Sequence, residues 1–273
     1  MTPTMLPVLP NRGRSNRDRR RGRRELDRQQ PARQDVGELV AQVADAGQSD
    51  RRAPLLALTR ALGGSARTAG VRAVAAGRWL ADVLTEAAPR IPVRDAATLA
   101  AQHPGRSTDE IAAALVKHAA LVTAGFGAAA GGLAAAEFIT PPALLAAPVQ
   151  LAAETLAVAA VEIKLVAELH ELYGEPVRGG LTQRGSAYLM SWVRQRAIEP
   201  AAAGSGLAAV LGHAAKRELR SRLLRRVGRS TTSMAPFLAG AVAGAEVNRR
   251  ATRSLGEKVG AELRGRQAAL TAG

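Results

Sequence analysis

The sequence predicts an all-α protein: a multi-helix bundle around a long Ala/Gly-rich helical hairpin, with a disordered Arg-rich N-terminal tail. Three observations carry that expectation. No segment alternates polar and apolar residues for long enough to make a strand. Aromatics are only 3% of the 273 residues, so the core must come from Ala, Leu and Val. Such a core suits close-packed helices, Ala having the highest helix propensity. The stretch 119–174 opens with eighteen uncharged residues, turns at Pro141-Pro142, and continues as one Ala/Leu/Val pattern to Gly174.

The elements follow in order. Residues 1–34 hold Arg, Pro, Gln and Asp with no apolar period, and are expected to be disordered. Residues 35–88 form a group of N-terminal helices. The first helix runs over about 36–46. The second, about 50–62, is expected to stop at Gly63-Gly64, and the third runs from Ser65 to about Ala87, before Pro89. Pro89, Pro92 and Pro104 mark 89–106 as a connector, where Asp95 can cap one short helix. From 107 to 266 the pattern is one helical domain. Ser107-Thr108-Asp109-Glu110 is a capping box that starts the first hairpin helix, 108–136. Pro141-Pro142 opens the return helix, Pro148 kinks it or resets its start, and 149–172 is its clean part. Gly174 then serves as the left-handed cap and Pro176 as the stop. A helix over 183–198 carries Tyr188 and Trp192, another spans about 205–227, and an apolar small-residue segment, 235–246, runs into a polar helix to 266.

Charge is unevenly distributed. Residues 1–34 carry ten Arg against Asp18, Glu25 and Asp27, a surplus of 7. Residues 214–229 carry Lys216 and six Arg against Glu218, a surplus of 6, so these two stretches supply 13 of the net +15. Two basic patches on a balanced body point to an anionic surface, lipid or nucleic acid. In the second patch Leu219, Leu223, Leu224 and Val227 form a stripe. Lys216, Arg217, Arg220, Arg222, Arg225, Arg226 and Arg229 occupy the rest, which makes a basic amphipathic helix. No nucleic-acid fold signature accompanies it, so lipid headgroups are the better anion. The N-terminus has apolar residues before its charges, the reverse of a secretory signal. The expected place is the cytoplasm, at the inner face of the cell membrane.

Chemistry-bearing motifs are scarce. The absence of Cys excludes disulfides and thiolate chemistry. Gly127 and Gly131, and again Gly240 and Gly244, stand four apart in helical runs. They read as small-residue faces that let helices approach, and the two faces are expected to pack on each other. Gly125-Phe126-Gly127 is no phosphate loop, since no strand precedes it. Gln150, Glu154 and Glu162 fall near one face, and Lys164 and Glu168 stand at i,i+4. The favoured reading is a hydrogen-bonded stripe meeting solvent or the basic helix. A carboxylate site is the alternative, without a di-iron form because no Glu-x-x-His pair exists. His103, His118, His170 and His213 lack metal-ligand spacing, and no Gly-x-Ser-x-Gly elbow occurs. No cofactor, metal or catalytic residue is expected. The uncharged run 119–136 is long enough to span a bilayer, but nine Ala, four Gly and one Thr make it a weak inserter.

Two blocks resemble the EcsC family. One is the long apolar helix closing in Leu169-His170-Glu171-Leu172-Tyr173-Gly174, with Gln150 and acidic residues upstream. The other is Pro236, then Gly240 to Ala245, Glu246, Asn248, Thr252 and Gly256. The resemblance covers roughly 107–265 and implies a helical, membrane-associated accessory protein, with no catalytic residues to carry over. The expected function is therefore a non-enzymatic protein at an anionic membrane surface. The alternatives are a soluble nucleic-acid-associated protein using the Arg-rich tail, and an enzyme with a carboxylate site near Glu154 and Glu162.

Overall fold

The structure, a computed structural model, describes residues 36–45, 52–69, 78–137, 143–196 and 235–272. All regular structure among the described residues is helical. The elements are α1 (36–45), α2 (Arg52–Ala69), α3 (Arg78–Ala87), a 3-10 turn (Ala88–Arg90), α4 (Ala96–Gln102), α5 (Thr108–Glu137), α6 (Ala143–Leu172), α7 (Leu181–Gln195) and α8 (Ala235–Ala272). The expected disorder of 1–34 and the expected helix over 205–227 lie outside the described residues.

Local chemistry sets several boundaries. The Ser107 amide donates to the Glu110 carboxylate at 2.8 Å, and the Glu110 amide donates to Ser107 Oγ at 3.3 Å, closing the capping box that starts α5. The Thr98 amide donates to Asp95 Oδ1 at 2.7 Å and starts α4. Gly174, at φ +76°, ends α6. There the Glu175 amide reaches the His170 carbonyl at 2.9 Å and the Gly174 amide reaches that of Glu171 at 3.2 Å, a Schellman motif.

Two expectations are corrected. α2 does not stop at Gly63-Gly64 but continues to Ala69, so Ser65 belongs to α2 rather than to the next helix. Leu55, Leu58 and Leu62 are buried, and Gly63 sits against Val149 of α6. The helix thus carries two interior glycines at a cost of about 1 kcal/mol each. Pro148 does not reset the start of α6, which runs from Ala143. It falls in the sixth position, past the first turn, where its ring removes one helical hydrogen bond.

α5, α6 and α8 form the centre. α5 and α6 are an antiparallel hairpin whose base is tied by Tyr173 Oη donating to Asp109 at 2.7 Å. α8 lies in the hairpin's groove, antiparallel to α5. Gly244 meets Gly127 at one end, and Arg264 is 3.7 Å from Asp109 at the other. Along α8, every fourth residue from Gly244 to Gly260 looks into the groove: Gly244, Asn248, Thr252, Gly256, Gly260. A four-residue row is inclined to the helix axis, so α8 crosses the hairpin at an angle. Leu255, Val259 and Leu263 flank that row and are buried.

The other helices wrap α6, which is buried almost throughout 151–169. α7 covers it from one side. Gly185 brings α7 so close to the 3-10 turn that an added Cβ would stand 2.6 Å from the Pro89 nitrogen. α1 and α2 cover the outer side. One hydrophobic cluster runs from Val36 to Leu263, so the helices of 35–88 share the core of the hairpin.

Candidate functional site: a buried polar seam below an uncharged end

Two features converge where α5, α6 and α8 meet. The first is a polar seam. Glu162 on α6 has no exposed surface. Its Oε2 accepts from Trp192 Nε1 at 2.8 Å and from Arg196 Nε at 2.9 Å. Its Oε1 accepts from Thr252 Oγ1 at 2.6 Å and from Arg196 Nη2. Thr123 Oγ1 in turn donates to Thr252 Oγ1 at 2.9 Å. Two turns along α6, Glu154 Oε1 accepts from Asn248 Nδ2 at 3.1 Å, and the same amide approaches the Thr123 carbonyl at 3.3 Å. The seam thus joins four helices through side chains that would each cost free energy if buried alone.

Glu154 and Glu162 do lie on one buried face, but each is held by its own partners. The stripe is hydrogen-bonded as expected but buried from solvent, and the basic helix that was its other expected neighbour lies outside the described residues. The Gln150 side chain lies outside the described residues. Lys164 and Glu168 are 3.6 Å apart, yet their closer partners come from elsewhere. Lys164 Nζ donates to Asp45 at 2.7 Å and to the Pro92 carbonyl at 2.9 Å. Arg94 grips both oxygens of Glu168, at 2.8 and 2.7 Å, and this contact raises the guanidinium pKa further. At the hairpin base Arg184 Nη2 donates to Glu171 at 2.6 Å. His170 beside it is pushed down by burial, reinforced by Arg266. Among the described residues no three His, Asp or Glu side chains converge as a metal ion would require.

The second feature is the end of the bundle above the seam. α5 enters it through 119–136, α6 leaves it through 143–153, and α8 starts in it with 235–245. None of these three stretches holds Asp, Glu, Lys, Arg or His, and Glu137 is the one charged residue at the end of α5. α2 climbs the outer side of α6 towards the same end, carrying Arg60 and Arg67. On the α5–α8 side, Leu121, Val242 and Val247 are exposed, Val242 by 68%. Among the described residues one helical segment, Thr108–Ala129, is long and apolar enough to cross a membrane, and just over half of its most apolar stretch is buried within the protein.

The sequence-predicted site residues fall as follows. Gly127 and Gly244 are brought together: a Cβ on Gly127 would stand 2.7 Å from the Gly244 carbonyl oxygen. Gly131 and Gly240 lie within α5 and α8, with surroundings outside the described residues. Lys216, Arg217, Arg220, Arg222, Arg225, Arg226 and Arg229 also lie outside them. Sequence reasoning missed Thr123, Trp192 and Arg196 as partners of the acidic stripe, and missed Asn248 and Thr252 in that role. A signal for the last two was present, since they share a four-residue spacing with Gly244 and Gly256.

The chain matches no protein-family model, no curated protein and no solved structure.

Proposed function

We propose that this is a non-enzymatic, membrane-associated helical accessory protein of the EcsC type, bound to the inner face of the cell membrane. The observation that carries this reading is the gathering, at one end of the bundle, of three helix ends that hold one charged residue between them, Glu137, with the exposed Arg60 on the neighbouring α2. Soluble bundles ordinarily place charge where helices end in water. An end whose three longest helices carry a single charged residue, Glu137, fits the acyl boundary of a bilayer. In sequence, five residues separate Arg229, the last of the basic stretch 216–229, from the start of α8. The headgroup contacts of that stretch would add to the apolar ones.

Flotation on vesicles containing phosphatidylglycerol, beside DNA retardation in moderate salt, tests the reading. The full chain is expected to float and to leave DNA unshifted. Replacing Arg217, Arg220 and Arg226 by Gln is expected to weaken vesicle binding by about a hundredfold, at about 1 kcal/mol per basic residue. Retardation of DNA with no flotation would overturn the proposal in favour of the nucleic-acid reading.

A further inference from the structure

We infer that Lys117, Arg250 and Arg253 form a headgroup-binding collar. The collar sets how deeply the uncharged end enters an anionic bilayer, with Val242 the exposed aliphatic side chain beyond it. The inference rests on the membrane reading and adds to it a face, a depth and a lipid charge.

Taking the Gly127–Gly244 contact as origin and about 1.5 Å of rise per residue, Lys117 and Arg253 both lie about 14 to 15 Å below it. They are on neighbouring antiparallel helices and both exposed. Arg250 lies about 9 Å below the contact, level with Leu121. Val247 is higher, and Val242 lies beyond the contact towards the uncharged end. Glu246, Arg249 and Arg250 lie about 3 to 9 Å below the contact, at the level of Val247 and Leu121, so among the exposed aliphatic side chains of α5 and α8 it is Val242 that lies beyond all of these charges. The Arg250 side chain is 79% exposed.

Charge sign supports an anionic partner. The one acid on this band of α8 is Glu246, held between Arg249 at 2.7 Å and Arg250, and these contacts bring its carboxyl down to about 2. Counting Lys117, Arg249, Arg250 and Arg253 against Glu246 leaves the band at +3. Long basic side chains can lay their stems along apolar surface and hold their heads at the phosphate level. A neutral or cationic surface would gain nothing from this arrangement.

The test uses the Cys-free full chain, which accepts one engineered thiol. An environment-sensitive fluorophore is placed on Val242→Cys or, as reference, on Leu270→Cys near the opposite end of α8. The expected result on phosphatidylglycerol vesicles is a blue shift and quenching by lipid-borne nitroxide at 242, with neither at 270. The Lys117→Gln/Arg253→Gln variant is expected to bind these vesicles about thirtyfold more weakly at low salt, and circular dichroism should remain that of the parent. Flotation with residue 242 still in water would overturn the collar while leaving membrane association intact. An unchanged affinity of the double variant would do the same. Failure of the parent chain to bind any vesicle would overturn both.

Discussion

Glu162 is balanced by Arg196, the residue that caps α7 and whose side chain is about one-quarter exposed. Removing the cation leaves a carboxylate in the core with only Trp192 and Thr252 to satisfy it. Arg196→Ala is therefore expected to cost about 3 kcal/mol or more in urea denaturation. Adding Glu162→Gln to that variant should recover part of the loss, since the buried charge disappears with its partner. Equal stability of parent and single variant would mean that the pair contributes nothing. The two tyrosines give a second residue-scale prediction. Burial and the bond to Asp109 push Tyr173 up to about 12, and burial also raises Tyr188. A raised folded-state pKa favours the neutral phenol. The resulting stability is complete below the ordinary value of 10 and is lost as pH climbs towards 12. Tyrosinate absorbance should therefore lag behind that of the unfolded chain, and Tyr173→Phe should flatten the alkaline fall in stability. Ionisation of both phenols near pH 10 in the folded protein would contradict this.

At the scale of elements, close approach of helices is what the glycines provide, and they are not equivalent. A methyl group on Gly127 would press on the Gly244 backbone at 2.7 Å, whereas one on Gly244 would stand 3.2 Å from Gly127. Nothing lies within 4 Å of a Cβ built on Gly64, inside α2. Gly127→Ala is expected to cost about 1–3 kcal/mol, Gly244→Ala less, and Gly64→Ala to gain up to about 1 kcal/mol. Any other order of the three melting midpoints would refute this packing. The caps at Ser107, Asp95 and Gly174 were legible in the sequence because their partners lie within five residues. The length of α2 was not, because a Gly-Gly pair reads as a stop, while the packing of α2 on Val149 of a helix far along the chain is invisible to any local pattern. The seam was half legible. Spacing put Glu154 and Glu162 on one face, but their partners on α7 and α8 are set by tertiary packing that no local pattern encodes.

For the whole molecule, one core unites the N-terminal helices with the hairpin and α8. The all-α class could be read from composition and periodicity, since an Ala-rich chain with few aromatics leaves little else to build. The order of packing could not, because it depends on which face of α8 meets the groove. That groove also has a history in time. Thr123 pairs with a residue 129 positions later, and Glu162 with one 90 positions later. During synthesis α6 is complete about a hundred residues before α8 ends, a delay of about 5 to 20 s at ordinary elongation rates. For that interval the nascent hairpin has an open groove lined by Ala and Val. Until then the α8 partners of Thr123, Glu154 and Glu162 have not been made, whereas Trp192 and Arg196, which also hold Glu162, have. The register of α8 is therefore set last, by side chains that wait on α5 and α6 for its arrival.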